Sequence, residues 1–289
     1  DPPVPCTTSL NASANEVPLP PLCASGRPSG CRFEFEPDVW LREGTTDREV
    51  QSTVRRDYTG LLLSFEADVR TILDAGANIG LSTALFAKKF PSAFVVALEL
   101  QAGNCAMARL NTQLQPNTLV LHAALSDHGH QSFTVGNGPR RSYGAQYQYV
   151  AKPAAATSTS LLDAVTGFTV ANLLVTLCLP AFDFVKLDIE GSEASVLGTN
   201  VPGALNWLTS VRYAYVEVHD DFARGARNAS VGALRAAGMQ VLAVWLRHEK
   251  LLLACSGRFE PPHCLHVCTR WAAYERRVYR TSVVCQKLP

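Results

Sequence analysis

One run of the chain limits its fold more than any other: a buried strand that ends in an acid, turns through glycine and opens a helix. Val69-Arg-Thr-Ile-Leu-Asp74 has the apolar density of a covered strand. Asp74-Ala-Gly76-Ala-Asn78-Ile-Gly80 forms the turn, and Leu81, Ala84, Leu85 and Lys88 then recur at helical spacing up to Phe90. The same rhythm repeats downstream. Strands are expected at Phe94–Leu98, Thr118–His122, Phe182–Asp188, Val211–His219 and Met239–Leu246. Helices are expected at Ala102–Leu114, from Glu193, and at Val231–Ala237, the last ended by Gly238. Apolar strands alternating with helices of this length predict an α/β fold, doubly wound around a mostly parallel sheet.

The rest of the chain is less regular. Residues 1–32 hold Pro2, Pro3, Pro5, Pro18, Pro20 and Pro21 and read as an extended arm or stem. Residues 33–289 form one domain whose core spans 69–246, entered by a helix over Asp47–Phe65. Glycines and prolines break the rhythm between 126 and 160, and Leu161–Leu177 reads as partly helical. Leu251–Cys255 and Leu265–Thr269 read as antiparallel edge strands. Apolar residues make up 47% of the 289 and charged residues 18%, enough for a sizeable core and too apolar for disorder. The net charge of +1 gives no field that would draw nucleic acid, so no nucleic-acid partner is expected. No run of eighteen apolar residues can span a bilayer. The chain starts at Asp1 rather than Met, and a removed upstream signal or anchor is an expectation from that.

The first turn suggests a ligand. Glycine permits positive φ and close approach, and a helix N-terminus offers free N–H groups and partial positive charge. Open α/β sheets bind ligands at this end of their strands. Glu99, closing the second strand, is placed to accept both hydroxyls of a ribose. A dinucleotide turn reads Gly-x-Gly-x-x-Gly, whereas here Asn78 stands where the second glycine would be. That argues against a nucleotide-dependent oxidoreductase and for a zwitterionic amino-acid tail, with Asp74 facing its ammonium. S-adenosylmethionine has that shape. Asp74, Gly76, Asn78, Gly80 and Glu99 are the candidate cofactor-binding residues.

Lys186-Leu-Asp188-Ile-Glu190-Gly-Ser-Glu193 is the second cluster. Residues two apart share a strand face, so Lys186, Asp188 and Glu190 project together if extension persists that far. Charges in a central strand are costly unless paired or functional. A Lys186–Asp188 structural pair beside a helix start is the alternative. Glu193 falls in the first helical turn, where an acid is favourable. On the next strand Tyr213, Tyr215, Glu217 and His219 share a face, bringing Glu217 and His219 to the same rim.

These segments, with Asn111 and Ala124-Leu-Ser126, resemble the FkbM-type methyltransferases between about Ile72 and Phe222. The resemblance implies a Rossmann-like, seven-stranded sheet of the class I methyltransferase type. It also implies an S-adenosylmethionine-dependent enzyme that methylates a hydroxyl of a sugar, glycan, polyketide or related metabolite. Leu100 stands where the family has proline, and the stretch 137–181 is longer than usual. An alcohol needs a base to become a nucleophile, and Asp188, Glu190 and His219 are the catalytic candidates. Asp188 is expected to hold the methionine end as well, with Glu190 or His219 taking the hydroxyl proton. Ser126 and Asp127, after the third strand, are expected to meet the adenine. Arg140, Arg141, Tyr143, Tyr147 and Tyr149 could contact a polar small-molecule or glycan acceptor. A catalytically silent secreted domain on the same fold is the other alternative.

Seven of the nine cysteines cluster toward the ends, Cys6, Cys23 and Cys31 early and Cys255, Cys264, Cys268 and Cys285 late, with only Cys105 and Cys178 between. That pattern predicts disulfides and the secretory pathway, a Golgi lumen setting or secretion. Cys105 lies in an apolar helical pattern and reads as a buried small hydrophobe. His263, Cys264, His266 and Cys268 match no common zinc spacing, and no metal is expected.

Overall fold

The computed structural model describes residues 39–42, 45–63, 69–128, 132–137, 149–153, 164–198, 207–220, 223–246, 249–256, 264–278 and 283–287. The proline-rich arm and residues 140–147 lie outside them, as does His263.

Five parallel strands carry the domain: β1 (Thr71–Ala75), β2 (Phe94–Glu99), β3 (Thr118–His122), β8 (Phe184–Leu187) and β9 (Tyr213–Glu217). β1, β2 and β8 are buried at every position, because helices cover both faces of the sheet. On one face Leu73, Val96, Val185 and Val216 pack against α5 (Val170–Thr176), α6 (Glu193–Leu197) and α7 (Ala226–Ala236). On the other, Ile72, Val95, Phe184 and Tyr215 meet α2 (Thr59–Leu63), α3 (Leu81–Lys89) and α8 (Cys264–Val278). α4 (Ala102–Thr112) packs against α3, and the Gln101 side chain caps it by accepting from Asn104 N.

The sheet has eight strands rather than seven, in the order β12-β10-β11-β9-β8-β1-β2-β3. β10 (Met239–Leu246), β11 (Glu249–Ser256) and β12 (Val283–Lys287) pair antiparallel at one edge. The extra strand is β12, held to α8 by the Cys268–Cys285 disulfide. A small second sheet, β4-β7-β5-β6, is built from β4 (Ala124–Leu125), β5 (Ser132–Asn137), β6 (Tyr149–Pro153) and β7 (Ala164–Phe168). Part of the segment read as helical, 161–177, is therefore strand β7, and α5 starts only at a Thr169–Asn172 capping box.

Leu265–Thr269 is not a strand. Val267, Cys268, Trp271 and Ala272 are buried together, and their spacing of one, four and five belongs to a helix face. The expected helix at 47–65 is three pieces: α1 (Asp47–Thr53), a π-helical turn (Val54–Tyr58) and α2. The widened turn coincides with burial of two consecutive residues, Asp57 and Tyr58. Asn111 fixes this N-terminal segment to the first βα turn. Its amide donates to Trp40 O (3.1 Å) and Ile79 O (2.8 Å) and accepts from Trp40 N (2.6 Å).

Candidate active site at the carboxyl rim

β1 ends at the glycine turn, and the turn docks against the end of β8. Gly76 has φ +83°, and a Cβ there would lie 1.7 Å from Asp188 O, so only glycine fits. Asn78 is also left-handed, at φ +51°. Gly80 caps α3 at φ +81°, and a Cβ would meet the Ala108 backbone at 2.6 Å. Its role is close packing of α3 on α4; it lines neither cavity described below.

Asp74 is fully buried, and its oxygens are committed within the fold. Oδ2 accepts from Ser82 Oγ and Thr83 Oγ1, both at 2.7 Å, at the favourable N-terminus of α3. Oδ1 lies 3.1 Å from Lys186 Nζ. The carboxylate thus serves the helix start and the lysine. Lys186 also donates to Gly76 O (2.7 Å) and lies 3.5 Å from Asp188 Oδ2. Burial works against its charge, but Asp74 and Asp188 overcome it and hold the ammonium's pKa above its ordinary value. Lys186 therefore ties the two halves of the turn together through three partners.

Glu99 is buried, and its oxygens accept from Asn78 N (2.8 Å) and Gln101 N (2.9 Å). The Asn104 side chain also hydrogen-bonds this carboxylate. Burial raises its pKa against these backbone bonds. Ser126 Oγ donates to His128 O (2.5 Å), and Asp127 pairs with His128 (2.7 Å). Ala123, Ala124 and Leu125, just before them, line the first of the cavities described below.

Extension stops at Leu187, one residue before the acids. Glu190 is left-handed (φ +52°) and followed by Gly191 (φ +99°), a turn that strand periodicity could not foresee. The turn folds Glu190 back toward His219. Nε2 of His219 lies 3.4 Å from Glu190 Oε2, 3.6 Å from Glu217 Oε1 and 3.9 Å from Asp188 Oδ1. Glu193 is fully buried, and its Oε1 faces His219 Nδ1 at 2.7 Å while accepting from Ile189 N and Gly191 N, both at 3.2 Å. Sequence reasoning saw in Glu193 only an acid at a helix start; it also anchors the histidine and the turn that carries Glu190.

The charges interact. Burial alone would lower the His219 pKa, but its hydrogen bonds to Glu193 and Glu217 push it up to about 12. Burial, then the charge of Asp188, pushes Glu190 up to about 8. Asp188, Glu190 and His219 each offer one ligand atom within 4.8 Å of the others, a spacing that could hold a cation.

Two cavities open at this rim. The first, about 80 Å³, is lined by Glu99, Asn104, the 123–125 segment and Ser192. The second, about 210 Å³, lies toward α1 and the π-helical turn. Both reach Gly76, Asp188 and Glu190.

Fold and rim together define a ligand-binding doubly wound α/β domain whose chemistry sits where β1, β8 and β9 end. Residues 74–243 match the family described as the methyltransferase FkbM domain, and the chain belongs to that family. No curated protein sequence matches it. Similar solved structures include the precorrin-6y C5,15-methyltransferase from Geobacter metallireducens. That likeness has 11% identity over 75% of this chain and 92% of that one, at TM-score 0.41. A fibrillarin/Nop5p complex gives 10% identity over 79% and 91%, at TM-score 0.44. A cofactor-bound Rv0187 structure from MTB gives 16% over 70% and 79%, at TM-score 0.39.

Proposed function

We propose that the protein moves a methyl group from S-adenosylmethionine to a hydroxyl of a sugar, glycan or related metabolite. The observation that carries this reading is the single acid-ringed rim where the first cavity meets Asp188 and Glu190. The residues suit the donor: Glu99 lines the first cavity as a carboxylate able to accept from a ribose hydroxyl, and the surplus of carboxylates suits a sulfonium. When bound, the donor supplies an already activated methyl carbon, so the protein's task is alignment and proton removal.

Asp188 and Glu190 line the region where the donor's positive end would lie. Glu190 takes the proton of the acceptor hydroxyl as the new O–C bond forms and the S–C bond breaks. His219 is held as an imidazolium and is ill suited to be the base; it keeps the carboxylates together. Glu190 acts in its ionised form, so transfer rises with pH through about 8. Asp74 and Gly80 act indirectly, by building the turn.

Incubating the protein with isotope-labelled donor and a collection of glycans and metabolites tests this by mass spectrometry. The label is expected as an O-methyl group, with Glu190→Gln slowing transfer by about 10²–10⁴-fold. Label on nitrogen or carbon, or equal transfer by the variant, contradicts the assignment.

We also infer a setting in the secretory pathway, in the Golgi lumen or outside the cell. The Cys268–Cys285 disulfide supports it, and Cys178 and Cys255 are disulfide-bonded too. Among the described residues no helix is long and apolar enough to cross a membrane. Thiol counting on protein isolated without reductant tests this; nine free thiols would contradict it.

A further inference from the structure

The second cavity is walled by α1 and the π-helical turn, which the first does not reach, and its lining has a distinct chemistry. Glu99 lines only the first cavity, so the ribose end belongs there. Gly76, Asp188 and Glu190 are shared, so the reacting end lies at the seam. A hydroxyl reaching Glu190 from the side opposite the donor must come through the second cavity, as an in-line displacement requires.

Its outer wall is Glu49, Thr53 and Tyr58, from α1 and the π-helical turn; its inner wall includes Glu217. The wall is firmly placed. Arg42 joins Asp47 (2.8 Å) to Asn104 of α4 (2.7 Å), and the Tyr58 ring rests 5.1 Å from that of Tyr215. At about 210 Å³ the cavity is smaller than the roughly 300–1,000 Å³ of drug-sized ligand sites.

Carboxyl groups dominate the lining: Glu49, Asp188, Glu190 and Glu217, with Asp57 already neutralised by Arg56 through both its oxygens. Among the described lining residues Lys186 is the one cation, and it is held by Asp74, Asp188 and Gly76 O. Carboxylates accept hydrogen bonds from hydroxyls and repel anions. A phosphate, sulfate or carboxylate on the acceptor would find no uncommitted positive partner here.

We propose that this chamber, walled by residues 46–58, is the acceptor site, and that it selects a small polyol unit bearing no anionic group. The proposal rests on the methyl-transfer reading above. The test uses labelled donor and paired methyl glycosides that differ only in C6: the neutral hexosides, a 6-amino hexoside and the matching hexuronates. Wild-type protein is expected to label the uncharged or amine-bearing members at least tenfold faster, in kcat/KM, than the hexuronates. Thr53→Trp fills the chamber and should raise KM at least tenfold while leaving the calorimetric Kd for S-adenosylhomocysteine within twofold. Glu49→Lys, at the exposed rim, should narrow the preference against hexuronates by about twofold to fivefold. Equal or faster labelling of hexuronates overturns the proposal, as does full activity in Thr53→Trp. Absence of label from every glycoside also overturns it. Retained binding of S-adenosylhomocysteine would then show that the donor reading survives, and its loss that both fail.

Discussion

The two ends of the main sheet are built on opposite principles. The parallel end, where β1, β8 and β9 stop, concentrates left-handed residues at 76, 78, 190 and 191 and a network of buried charges. The antiparallel end, β10 to β12 under α8, is apolar and cross-linked; Val267, Cys268 and Trp271 have no exposed surface. Buried charge and positive φ both cost stability, so the rim where they coincide marks a place where chemistry was favoured over stability. The other end supplies the stability. It gives the rim a fixed frame through β11, which pairs with β9 and so borders Glu217 directly.

Substitutions that break this division should separate stability from ligand binding. Lys186→Met strands the buried Asp74 carboxylate and is expected to lower unfolding free energy by about 3–5 kcal/mol in urea titrations. Adding Asp74→Asn should recover part of it. Gly76→Ala drives a Cβ against Asp188 O; the strain should cost about 2–5 kcal/mol and abolish donor binding in calorimetry. At the opposite end, replacing Cys268 by Ala and Cys285 by Ser opens a loop with a sequence separation of 17, worth about 3 kcal/mol. Donor affinity should stay unchanged, which is what sets that end apart. His219→Gln removes a charge that holds the Glu190 pKa down, so the pH midpoint of transfer should move above about 8. A uniform loss of rate at all pH values would show that His219 only supports the fold. The smallest effect belongs to Cys105. Burial pushes this free thiol up to about 12, so alkylating reagents should leave it unmodified in the folded protein.

The parallel half was largely legible in the sequence, because strands covered on both faces are unbroken apolar runs whose ends are marked by acids and glycines. The antiparallel edge was less so. Leu265, Val267 and Thr269 alternate like a strand, and only the additional burial of Cys268 and Trp271 reveals the helix. Within the rim, residue types were readable but partners were not. Asp74 looked like a ligand contact, yet its partner Lys186 lies 112 positions away, a pairing that no local pattern announces. Glu190 looked extended because nothing short of its φ angle shows that the chain reverses there, although Gly191 beside it was a hint. The second cavity went unread because its outer wall comes from a helix far upstream, whose π-helical turn has no signature in periodicity.

The account stands on a carboxylate-ringed rim that holds a sulfonium donor, and titration calorimetry with S-adenosylhomocysteine tests it most directly. The folded protein should bind one equivalent, and Glu99→Gln should weaken that affinity at least tenfold without loss of folding. A flat titration from protein of native circular dichroism, or an affinity indifferent to Glu99, would contradict it.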